Sequence, residues 1–261
     1  MTGRIKRLYG VLGLLLVFAI ALNLYYGTYQ MDLADFFSVW MNRGSVTDTF
    51  IIFSLRLPRV LIVLLAGAAL ALSGSILQSI THNDLADPGI IGINAGAGLG
   101  VTVFFLMFSH SAKDFAILLP LAAFLGAALT AFMIMVLSRT KGGGIHPLKM
   151  ILVGIGFSMA LSGFMVILIS SAERTDVSFI AGWLAGTIWG GDWPFVVVTA
   201  PLVIAAATVL YFHARTLNVV QLGENSAIGL GVNLKRTHHR MMALSTLLAA
   251  VAVSVAGNIA F

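Results

Sequence analysis

The chain of 261 residues is 59% hydrophobic and only 10% charged, with a mean hydropathy of +1.00. A soluble globular domain carries about 25% charged residues, so this chain cannot clothe a globular surface and reads as a polytopic membrane protein. The absence of cysteine removes disulfides, thiolate metal sites and cysteine nucleophiles. The net charge of +5 sits in short segments between apolar runs, where it suits lipid head groups rather than nucleic acid.

A helix needs roughly 20 mostly apolar residues to cross about 30 Å of hydrocarbon. Seven stretches meet that need: Leu8–Tyr26, Val60–Ile80, Gly89–Phe108, Phe115–Leu137, Met150–Ser170, Pro194–Phe212 and Met241–Phe261. All are expected to be helical, because backbone in lipid must satisfy its own hydrogen bonds. Residues 1–26 carry Arg4, Lys6 and Arg7 ahead of an apolar run, as secretory signals do. The run is long for a signal and no clear cleavage site follows Ala21–Leu24, so an uncleaved first span is expected.

A cytoplasmic N-terminus puts Arg4, Lys6, Arg7, Arg139, Lys141, Lys149, Arg215, Lys235, Arg236 and Arg240 inside. It leaves only Arg43, Arg56, Arg59, Lys113 and Arg174 outside, and the excess of inner basic residues predicts this orientation. No Lys, Arg, Asp or Glu falls within the seven stretches, which argues against a proton- or ion-coupled carrier. Neither a G-x-x-x-x-G-K-[ST] nor an H-E-x-x-H pattern occurs. A non-catalytic chain is expected, and the energy for uphill transport would have to come from another polypeptide.

Several segments between the spans carry polar chemistry. Arg56 and Arg59 flank Pro58 ahead of the second span, placed either to anchor the helix at the interface or to meet carboxylates of a partner. The turn His82–Pro88 reads H-N-D-L-A-D-P, rich in turn and cap residues. Gly92, Gly96 and Gly100, and again Gly182, Gly186 and Gly190, recur every four residues, which predicts close helix packing on one face for each trio. Asn94 interrupts the first trio and is expected to face a neighbouring helix or a watery path. RTKGGGIHPLK at Arg139–Lys149 reads as a flexible basic loop, with His146 a loop residue rather than a ligand. Trp183, Trp189 and Trp193 mark Phe179–Trp193 as interfacial, with a half-inserted helix. In His213–Arg240, two brief helices are expected at Leu217–Leu222 and Asn225–Leu230, broken at Gly223 and ended at Gly231. His238 and His239, beside Arg236 and Arg240, read as solvated topology residues, and no metal site or cofactor is expected.

The run RLPRVLIVLLAGAALALSGSILQSITHNDLADPGIIGINAGAGLG from Arg56 to Gly100, with LGENSAIGLGV at Leu222–Val232, resembles the permease family of iron–siderophore and cobalamin ABC importers. The resemblance implies an all-α polytopic membrane protein of the type II ABC importer permease kind. It implies that Arg56 and Arg59 dock an extracytoplasmic substrate-binding protein and that Asn83 and Leu85 form a cytoplasmic gate, with Asp84 where the family usually has Pro. Gly92, Asn94, Gly96 and Gly100 would serve the pathway or helix packing, and the basic loop would be a weak second gate element. Gly223, Glu224, Ala227, Gly229, Leu230 and Gly231 would couple to the ATP-hydrolysing subunit. The implied partners are two ABC ATPase subunits, the binding protein, a second permease subunit (identical or paralogous) and membrane lipid.

Family members hold about ten spans in two related halves, and ALALSGSIL at Ala69–Leu77 is echoed by AVSVAGNIA at Ala252–Ala260. Residues 1–261 are therefore expected to form one permease domain, with 60–170 as the first repeat, 213–240 as the coupling segment and 241–261 as the start of a second, incomplete repeat. Ferric siderophore is the expected cargo, with haem or a corrinoid next. The rival from another class is a stand-alone secondary carrier or channel.

Overall fold

The computed structural model describes residues 3–108, 112–139, 147–186, 188 and 191–259, with backbone alone at 90–91, 112–117, 147–148 and 224. The described residues contain helices and no strand. They separate into two compact units, Met1–Leu64 with Gly191–Val197, and Leu65–Gly190 with Val198–Phe261.

The first unit opens with α1 (Gly3–Tyr25), apolar on every side beyond the basic residues Arg4, Lys6 and Arg7 of its first turns, and with Leu24 its one buried residue. Lipid suits such a helix; water does not. Two short helices follow, α2 (Leu33–Trp40) and α3 (Val46–Phe50). Ser45 caps α3: its hydroxyl accepts from the Asp48 amide at 3.1 Å and donates to the Asp48 carboxylate at 2.6 Å, a variant of the reciprocal capping box. Met31, Val39 and Ile52 form the core here, with Phe36 and Ile51 packed against them.

Helix α3 passes without a break into a π-helical stretch, Ile51–Arg56, and then into α4 (Leu57–Thr81). The helical run therefore starts well before the Val60 expected from hydropathy. Pro58 explains the wide turn: it lacks an amide hydrogen, and its ring would press on the carbonyl four residues back in a regular α-helix.

The remaining helices are α5 (Ile93–Met107), α6 (Ala112–Leu137), α7 (Pro147–Ser170), α8 (Arg174–Leu184), α9 (Trp193–Gln221), α10 (Glu224–Gly229) and α11 (Leu234–Ala256). Six described segments are long and apolar enough to cross a membrane: Gly3–Tyr25, Val46–Thr81, Leu118–Leu137, Lys149–Ser170, Trp193–Gln221 and Leu234–Ala256. The seventh expected span, Gly89–Phe108, is different. It divides into a 3-10 turn at Pro88–Ile91, a left-handed Gly92 and the 15 residues of α5. At 1.5 Å per residue α5 is about 22 Å long, short of a bilayer core. It is sheathed by protein instead, with Ile93, Ala97, Val101, Phe104 and Phe105 buried, so it need not match the lipid thickness.

Close backbone approach fixes α5 against α6. A methyl built on Gly96 would lie 2.6 Å from the Gly126 carbonyl oxygen, and one on Gly100 would collide with that of Ala122. Only these two of the first glycine trio share a helix face, because Gly92 precedes α5 with φ +74°. The second trio makes no such face. α8 ends at Leu184, Gly186 has φ +87°, and Gly190 lies outside the described residues.

α11 is the most enclosed of the six long apolar helices, with its stretch from Leu248 to Ala256 buried throughout. Buried serines join it to α4: Ser73 Oγ donates to the Ser245 carbonyl at 2.8 Å, and Ser245 Oγ to the Ser73 carbonyl at 3.1 Å. The helix starts at Leu234, not Met241, capped by the Asn233 side chain, which accepts from the Arg236 amide at 3.0 Å. Likewise α9 continues past Phe212 to Gln221, so the separate helix expected at Leu217–Leu222 is the end of α9. His213, Arg215 and Asn218 lower the hydropathy there without breaking the helix.

Candidate functional site

Arg56 and Arg59 lie one turn apart yet face different tasks. Arg56 is 9% exposed. Its Nη1 donates to the carbonyls of Leu24 and Tyr25 at 2.8 and 2.6 Å, and its Nη2 to that of Tyr29 at 2.5 Å. Leu24 and Tyr25 end α1, where carbonyls have no intrahelical donor and the helix dipole is negative. Arg56 thus caps α1. Gly27 makes room for it, since a Cβ there would stand 2.7 Å from Nη2. The sequence paired both arginines as docking residues; in the structure the Arg56 guanidinium is turned to its own backbone, and Arg59 is the exposed member. Gly191 lies beside the Arg59 stem, a Cβ there meeting Cβ, Cγ and Cδ at 3.5 to 3.8 Å. Trp193 Nε1 donates to the Phe53 carbonyl at 2.9 Å.

The turn after α4 is built from its own polar side chains. Asn83 Oδ1 accepts from the Leu85 amide at 3.0 Å, and Asp87 Oδ1 from the Gly89 amide at 2.8 Å, local bonds that hold the chain out of helix. They leave Leu85 at the tip, 83% exposed. Asn94, at the head of α5, donates through Nδ2 to the Ile259 carbonyl at 3.2 Å, so it faces neighbouring protein rather than lipid.

The segment between α9 and α11 is bounded at both ends by glycines of positive φ. Gly223 has φ +104° and Gly231 φ +83°, conformations that suit glycine. Between them α10 is held by buried Ala227, whose carbonyl accepts from the Val232 amide at 2.9 Å. Its other side is open. Leu222, Ile228 and Leu230 are exposed apolar side chains, and a Cβ on Gly229 would meet nothing within 4 Å. The Glu224 side chain lies outside the described set. Leu222 and Ile228 were passed over in the sequence, although their apolar character beside Gly223 and Gly229 was a usable signal.

Two further polar contacts were missed. Gln221 Nε2 donates to Ser79 Oγ at 3.0 Å, joining the end of α9 to the end of α4. Gln78 Nε2 donates to the Asp84 carbonyl at 3.0 Å. The segments at 82–88 and 223–231 therefore lie at ends of helices that touch.

Trp183, expected at the interface, is fully buried in α8, and its carbonyl accepts from the Asn258 amide at 3.5 Å. Most of the basic loop, residues 140–146 with His146, lies outside the described residues; at its edges Lys149 Nζ donates to the Arg139 carbonyl at 3.0 Å. Among the described residues no group of His, Cys, Asp or Glu could hold a metal ion.

A family model described as the FecCD transport family matches residues 15–261. The chain is 36% identical over 252 residues to the iron(3+)-hydroxamate import system permease protein FhuG of Bacillus subtilis (strain 168), covering 95% of this chain and 74% of that protein. It is 34% identical over 215 residues to the cobalamin import system permease protein BtuC of Halobacterium salinarum, covering 82% of this chain and 57% of that protein. A solved structure of a metal-chelate type ABC transporter in an inward-facing conformation superposes with a TM-score of 0.76 at 28% identity, over 97% of this chain and 77% of that one. A chain with these apolar spans, helical in its described elements and matched along almost its whole length, belongs to the FecCD transport family of membrane permeases.

Proposed function

We propose that the chain is the membrane-spanning permease subunit of a binding-protein-dependent ABC importer in the cell membrane, with its N-terminus cytoplasmic. The observation that carries this reading is α10: a short helix with exposed Ile228 and Leu230 and an unfilled surface at Gly229. Such a knob fits a cleft in a second protein, and the family supplies the candidate, an ABC ATPase in two copies. Gly223, Glu224, Ala227, Gly229, Leu230 and Gly231 make the coupling segment. Arg59 docks carboxylates of the extracytoplasmic binding protein, and Arg56 supports that helix from within.

Asn83 shapes the gate turn and Leu85 is its apolar tip, closing the inner mouth against a second permease subunit. Movement at Ser226–Gly231 changes the separation of the gate turns, an alternating-access cycle driven by nucleotide on the partner. Gly92, Gly96 and Gly100 serve packing around α5, while Asn94 ties its head in place. The cargo is a ferric siderophore, a choice supported by the hydroxamate importer among the relatives; a corrinoid or haem is the second choice.

Co-purification tests the reading. The chain produced with an ABC ATPase from its operon should retain that subunit, and Gly231→Leu, which strains the φ +83° hinge, should lose it. Retention indifferent to Gly231, or none by the native chain, would reject the proposal.

A further inference from the structure

Residues assigned neither to the gate nor to the coupling segment connect the two. Gln221 is the last residue of α9, just before the Gly223 hinge that leads into α10. Its Nε2 donates to Ser79 Oγ at 3.0 Å. The Ser79 hydroxyl spends its own hydrogen on the Ser75 carbonyl at 2.7 Å, which fixes the rotamer and leaves a lone pair aimed at Gln221. One residue back, Gln78 holds the turn at two points: Nε2 donates to the Asp84 carbonyl at 3.0 Å, and the Gln78 carbonyl accepts from the Asn83 amide at 3.4 Å.

We infer that Gln221, Ser79 and Gln78 form a polar relay that makes the gate turn follow the coupling segment. The inference rests on the importer reading above, and assigns positioning roles to three residues that touch neither nucleotide nor cargo. Apolar side chains at this junction would let α9 slide along α4. Directed hydrogen bonds resist sliding, so a pull on α10 either carries the end of α4 with it or breaks the Gln221–Ser79 bond.

The test uses the importer assembled with its ATPase in proteoliposomes. The chain contains no cysteine, so Asp84→Cys places a single label site on the exposed turn. Its reaction rate with a soluble maleimide is compared without nucleotide and after trapping with ATP and vanadate. The otherwise native chain should show a change of about fivefold or more, within the usual range of coupling between sites. Ser79→Ala and Gln221→Ala should each shrink the change below about twofold, and the pair together no further, as members of one link do. Ser79→Thr, which keeps the hydroxyl, should restore it and controls for folding.

A full-sized change in Ser79→Ala and Gln221→Ala overturns the relay while leaving the importer standing. No change in the otherwise native chain, with the ATPase still bound, overturns the gate assignment and the relay with it. Failure to bind the ATPase at all rejects the importer reading first.

Discussion

Glycine does opposite work in two regions of the second unit. At the α5–α6 contact, Gly96 and Gly100 are closed in by neighbouring backbone, so the fold itself forbids a side chain. In α10, Gly229 meets nothing within 4 Å; the fold would accept a side chain, and any intolerance must come from outside the chain. The contrast separates glycines that the fold itself requires from a glycine that it leaves free for the proposed partner, a distinction invisible in glycine content or spacing.

The largest expected effect breaks the first half of the comparison. Gly100→Leu should cost about 3 kcal/mol, the upper end of overpacking, by collision with the Ala122 backbone, read as loss of monodisperse protein in detergent. If that variant purified with unchanged thermal stability, close packing of α5 on α6 would be wrong. Next comes the arginine pair, the same contrast in another residue type. Arg56→Gln should lose about 2 kcal/mol as the α1 carbonyls lose their charged donor, read as faster hydrogen exchange at Leu24–Tyr29. Arg59→Glu should leave that exchange alone while abolishing association with the binding protein.

Gly229→Leu sharpens the second half. ATPase retention should fall at least about tenfold, equivalent to about 1.4 kcal/mol, with a shift in Tm below about 2 °C; a parallel fall in Tm would move Gly229 among the building residues. The smallest effect concerns buried serines. The Ser73 and Ser245 hydroxyls also lie 2.8 Å apart, so a double-mutant cycle on Ser73→Ala and Ser245→Ala should give a coupling of about 0.6 kcal/mol, typical of interhelical hydrogen bonds in membranes.

Much of this was legible in the residues and some was not. Apolar runs located the membrane helices because lipid demands about 20 such residues in a row, and Gly223 and Gly231 marked where the short helix α10 begins and ends. Hydropathy misjudged where helices end: α9 and α11 extend through His213, Arg215 and Lys235, which interrupt an apolar run without interrupting a helix. It also overlooked α2 and α3, although Ser45-x-x-Asp48 announces a helix start. The tasks of Arg56 and Trp183 could not be read locally. Both depend on contacts across the fold, Arg56 on α1 carbonyls and Trp183 on its burial within the second unit.

The most direct measurement is uptake of a labelled ferric hydroxamate siderophore into vesicles that carry the chain with, and without, its ATPase and binding protein. Accumulation against a gradient should require both companions and ATP hydrolysis. Accumulation by the chain alone, or nucleotide hydrolysis by the purified chain, would contradict the account.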